Sequence, residues 1–102
     1  MLIHRIRYKP ENHQCFLEIQ KVALSLGFKW ISGRDTLISQ DIAVLNLYIV
    51  GSAGHRSKSL THSTLGDLTK TPKEGDCIVY NFAEVADILY SIYGTTRSFL
   101  EL

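Results

Sequence analysis

The stretch GSAGHRSKS, residues 51–59, collects the side chains of this chain best suited to chemistry. Two glycines allow backbone N–H groups to turn into a shared concavity. The hydroxyls of Ser57 and its neighbours, with Arg56, Lys58 and His55, add donors that an anion could use. The composition is that of a phosphate-contacting loop, but the pattern GxxxxGK[ST] is absent: Gly51 and Gly54 lie three apart, and His55-Arg56 stands where Lys-Ser would be needed. An anion-contact surface is therefore expected here rather than a nucleotide-hydrolysing loop. The plain alternative is a solvated hairpin tip. Arg34 and Trp30, on a turn and a short strand upstream, complete the expected ligand-binding set of Arg34, His55, Arg56, Ser57, Lys58 and Trp30. Arg5 and Arg7 offer a second basic strip. Trp30 or a tyrosine could stack a base.

Catalytic constellations are sparse. The triplets His55-Arg56-Ser57 and His62-Ser63-Thr64 resemble the paired H-x-[ST] signature of two-histidine phosphoesterases, in which the histidines act as general acid and base. Here they sit seven residues apart on one segment, and a strand places i and i+7 on opposite faces, so only a tight hairpin would converge them. Asp35, Asp41 and Asp67 occupy turn-like positions where Asp is ordinary. His4 falls on the apolar side of an alternating strand and reads as a core histidine, and His13 as an exposed residue at a helix start. No Cys/His spacing matches a metal site, and Cys15 and Cys77 read as two buried, reduced thiols, which suits a reducing cytosol. No catalytic residue, metal or cofactor is expected.

These side chains need a scaffold, and the chain supplies material for one. Its 102 residues, 45% hydrophobic and 21% charged, fit one domain with one core. Eleven basic against ten acidic residues exclude a nucleic-acid coat protein and an acidic DNA mimic. The charge is uneven: residues 1–58 hold eight basic and four acidic side chains, residues 59–102 three and six. A basic patch is thus available unless the fold interleaves the halves. The longest apolar run, 42–50, is far short of the roughly twenty residues that span a membrane. The N-terminal residues lack the apolar core of a secretory signal. A soluble cytoplasmic domain is expected.

Period-two alternation over 2–8 marks a first strand. Apolar residues at helical spacing from Glu11 to Leu26 mark a helix, with Pro10 suited to its first turn, Glu11 near its positive end and Gly27 as its stop. Phe28, Trp30 and Ile31 form a short strand, Ser32 to Asp35 a turn, and residues 41–50 a strand apolar on both faces and therefore central. Lys58 to Thr64 can pair back as a weak strand, residues 65–76 read as an exposed loop, and 77–80 as a last strand. Asn81 and Glu84 have capping-box spacing before a second helix ending at Gly94. The order β-α-β-β-(β)-β-α predicts an α+β domain: a mostly antiparallel sheet of four to five strands with both helices on one face.

The stretch LGFKWISG, Leu26 to Gly33, closing a helix and opening a hairpin, is similar to a pattern found in small accessory proteins of tailed bacteriophages; Gly27, Trp30 and Ser32-Gly33 carry it, and it covers about residues 14–50. The resemblance implies a non-enzymatic host-takeover or anti-defence factor in the host cytoplasm. Such a protein inhibits or sequesters a host protein, a nucleoprotein complex such as an RNA-guided nuclease, or a signalling nucleotide, and leaves room for a homo-oligomer. The expected function is a binding protein of this type, acting through the basic Ser/Gly-rich loop. The alternatives are a small nucleic-acid-binding module and a two-histidine phosphoesterase using His55 and His62.

Overall fold

The computed structural model describes residues 3–51, 56–69 and 72–93. Five strands and two helices follow in the order β1 (Arg5–Tyr8), α1 (His13–Ser25), β2 (Lys29–Trp30), β3 (Val44–Tyr48), β4 (Ser59–Ser63), β5 (Asp76–Val79) and α2 (Phe82–Tyr93). A 3-10 turn, Leu65–Thr69, precedes β5 within the stretch expected to be a plain loop. The strands build one sheet in the order β2-β4-β3-β1-β5. All five residues of β3 are buried, as its two apolar faces demanded, and it is the middle strand.

The sheet is mixed rather than mostly antiparallel. β3 pairs antiparallel with β1 and β4, whereas β1–β5 and β2–β4 are parallel. The expected hairpin after LGFKWISG does not form, because β2 pairs with β4 and not with β3. The connection from β2 to β3 is instead tied to α1. Gln20 is fully buried, and its side-chain amide mimics a strand neighbour: Nε2 donates to the Ile38 carbonyl at 2.8 Å, and the Ile38 N–H donates to Oε1 at 2.9 Å. This fastens the 31–43 connection to α1 before the chain enters the middle of the sheet.

One face of the sheet carries Ile6, Tyr8, Leu45, Leu47, Leu60 and Val79 into the core. Phe16 and Ile19 of α1 and Val85 and Leu89 of α2 join the same cluster, so both helices pack on this face. Asn12, not Pro10, begins α1: its side chain accepts the Cys15 N–H at 2.8 Å. Gly27 follows α1 at φ +95°, the left-handed stop its sequence position called for. Asn81 likewise accepts the Glu84 N–H at 2.7 Å. Glu11 reaches the other helix, accepting the Phe82 N–H at 2.8 Å with one oxygen and the Tyr8 hydroxyl with the other. It thus caps α2, the helix distant in sequence, and ties it to β1. Burial alone would push the Glu11 carboxyl up, but these two donors outweigh it and hold it below its ordinary value. Gly75 takes φ +87°, and a Cβ there would fall 2.7 Å from the His4 ring. His4 itself is exposed rather than a core histidine, lying just before β1. Both cysteines are free and half-buried, less covered than expected.

Candidate functional site

Three short segments meet at the β2–β4 end of the sheet. The αL turn at Gly27 leads into β2, Ile31–Gly33 turns away from it, and Arg56–Ser59 enters β4. Between them lies a groove of about 430 Å³. Its lining includes three cations, Lys29, Arg56 and Lys58, and three hydroxyls, Ser32, Ser57 and Ser59, with no carboxylate among the described residues. Parallel pairing makes this juxtaposition. The Lys29 N–H donates to the Lys58 carbonyl at 3.0 Å and the Ile31 N–H to the Leu60 carbonyl at 3.0 Å, which sets the turn after β2 beside the turn before β4. The outer edge of β2 is closed by its own turn: the Trp30 N–H donates to the Arg34 carbonyl at 2.8 Å, and the Gly33 N–H to the Trp30 carbonyl at 2.7 Å.

Of the residues singled out from sequence, the groove therefore unites Trp30, Arg56, Ser57 and Lys58. Arg34 is exposed on the adjoining turn, outside the lining. His55 lies outside the described residues. Lys29 was missed, because a lone lysine on a two-residue strand carries no local signal; only the pairing of β2 with β4 brings it beside Arg56.

The cations do different work. Lys58 sits at φ +57° and turns its amine inward, donating to the Leu26 carbonyl at 3.0 Å and lying 5.0 Å from the Tyr93 ring centre. Its charge closes the last turn of α1 and binds α2, so it serves the scaffold first. Arg56 is exposed, and among the described residues no side chain pairs with its guanidinium; only its backbone carbonyl is engaged, by the Ser59 hydroxyl at 2.5 Å. Lys29 is exposed as well.

Trp30 departs from the expected base-stacking platform. It is 4% exposed, its ring belongs to the core cluster, and the His62 ring meets it edge-on at 6.3 Å. Its indole N–H is buried and has no acceptor among the described residues. Arg5 and Arg7 are also not a surface strip. Arg5 donates through Nε and Nη2 to Asp76 Oδ1 and Oδ2 at 2.9 and 2.6 Å. The Asp76 contact raises the Arg5 pKa further; burial of Asp76 acts upward, yet the Arg5 hydrogen bond wins and keeps its carboxyl below the usual range. Arg7 is buried and donates to Asn46 Oδ1 at 3.2 Å, while the Asn46 amide donates on to Thr61 and Ser63. The two halves of the chain do interleave in charge at the Arg5–Asp76 pair.

The comparisons add nothing to this geometry. No family model, curated protein or solved structure matches the chain. Among the described residues, no helix is long and apolar enough to cross a membrane, and no three His, Cys, Asp or Glu side chains are grouped to hold a metal ion. His62 of the two-histidine reading is exposed on β4 beside Trp30. A second, smaller cleft of about 160 Å³ lies beside α1, where His13 Nδ1 meets Asp41 Oδ1 at 2.8 Å. Both side chains are substantially exposed, and among the described residues no Ser, Thr, Cys or Lys lines that cleft.

Proposed function

We propose that this protein is a non-enzymatic binding protein that inhibits or sequesters its partner by taking a negatively charged group into the β2–β4 groove. One observation carries the reading: among the described residues, three cations and three hydroxyls line the groove with no carboxylate, and no side chain pairs with the Arg56 guanidinium. A charge kept unpaired in a concave site attracts an opposite charge at range and meets it at short range with charge-assisted hydrogen bonds. In the phage setting that the Leu26–Gly33 resemblance implies, the partner is a host component, and blocking it requires binding alone.

The nucleic-acid alternative is weaker, since Arg5 and Arg7 are engaged internally and Trp30 offers no exposed ring face. The test is comparative. Wild type and a Lys29→Ala/Arg56→Ala double variant are used as bait in a bacterial lysate, and co-purifying proteins and small molecules are measured by mass spectrometry. Species retained by wild type and released by the double variant support the reading. Identical recovery by both, or none by either, removes it.

A further inference from the structure

The only tryptophan of the chain lines the groove, is 4% exposed, and finds no acceptor for its indole N–H among the described residues. Buried donors in folded proteins are almost always paired, because an orphan forfeits its hydrogen bond to water without replacing it. Such a defect next to a cationic groove calls for an explanation. We infer that the occupant of the groove is a phosphate-bearing small molecule, one of whose oxygens accepts the Trp30 indole N–H. The inference rests on the reading of the groove as an anion site and adds its ligand class and a specific donor.

Four physical points select this class. A volume of about 430 Å³ suits a small molecule. A phosphate offers several acceptor oxygens in tetrahedral array, so donors approaching from separate segments can each find one. Arg56 can take two oxygens in a fork, Lys29 a third as a point charge, and the exposed Ser57 hydroxyl can approach beside them. A carboxylate has only two oxygens in one plane and leaves some of these donors idle. Single-stranded nucleic acid is disfavoured because it is held by stacking platforms, and Trp30, the aromatic of the lining, presents no free face. The indole N–H is closed to solvent, so a phosphate oxygen engages it only where the groove opens toward the ring.

Because there is one tryptophan, a 15N-labelled sample shows one indole cross-peak, and the test is direct. The protein is titrated separately with inorganic phosphate, a nucleoside diphosphate, a hexose phosphate, acetate, an unphosphorylated nucleoside and a single-stranded oligonucleotide. The expected result is a saturable downfield shift of the indole proton with at least one phosphate-bearing small molecule, and none with acetate or the nucleoside. The arms that shift it tell free phosphate from nucleotide or sugar phosphate. Arg56→Ala should weaken that binding about tenfold or more, the effect of one charge-assisted hydrogen bond. Trp30→Phe, followed by calorimetry, should weaken it severalfold.

If the phosphate probes bind in an Arg56-dependent way but the indole proton stays put and Trp30→Phe binds as well as wild type, the assigned donor is wrong while the anion reading stands. If only the oligonucleotide binds, the small-molecule class is overturned. If acetate acts as well as phosphate, the selectivity argued here is overturned. Absence of binding to every anion overturns the inference and counts against the anion reading beneath it.

Discussion

Cations that look interchangeable in the sequence have separate fates in the fold. Arg5 is spent on Asp76, Lys58 on the Leu26 carbonyl and the Tyr93 ring, and Arg56 on no side chain among the described residues. Two predictions belong at this scale. Lys58→Met should lower stability by about 1–2 kcal/mol, from the lost hydrogen bond and cation–ring contact, whereas Arg56→Ala should stay within about 0.5 kcal/mol of wild type. Denaturant unfolding of the two variants measures the difference; equal losses would mean that the inward turn of Lys58 has no energetic weight. The second concerns acid. Asp76 and Glu11 have folded pKa values below their unfolded values of about 3.9 and 4.3. Each therefore contributes stability that is complete above about pH 5 and fades as pH falls through the unfolded and then the folded value. Asp76→Asn should cost about 2 kcal/mol at pH 7 and flatten the decline below pH 4, read as the melting temperature against pH.

At the scale of elements, long-range polar staples decide where segments go. The Gln20 side chain makes both backbone hydrogen bonds of Ile38 from the buried face of α1. Without it the 31–43 connection would keep two unpaired backbone groups beside the core. Gln20→Ala should cost about 2–4 kcal/mol, combining a cavity with those orphaned groups, and Gln20→Leu less, since it keeps the volume. Limited proteolysis should then cut first within 31–43. Unchanged stability in both variants would show that the connection needs no fastening. Glu11 acts similarly between β1 and α2, and both staples bridge elements that local reading treats as independent.

For the molecule as a whole, the radius of gyration of 12.6 Å is that expected of about 100 residues folded as one unit. Strands from both ends of the chain lie side by side, β1 with β5, so neither half can keep its core without the other. Unfolding should accordingly be one cooperative transition, with Trp30 fluorescence reporting the β2–β4 end and far-ultraviolet circular dichroism the helices. Coincident curves are expected; a fluorescence transition preceding the helical one would mean that the groove end melts alone.

Periodicity and end signals were enough to read both helices, the central place of β3, the stop at Gly27 and the segment that contributes Arg56 and Ser57, because these depend on residues close together in the chain. The parallel pairings, the inward use of Arg5, Arg7 and Lys58, the burial of Trp30 and the arrival of Lys29 beside Arg56 were not legible there. Each turns on which distant strand or helix becomes a neighbour, and a charged or aromatic side chain looks the same in sequence whether its partner is a carboxylate 71 positions away or none at all. Local chain chemistry chose the elements; the long-range pairing of β2 with β4 set their order, and with it the groove.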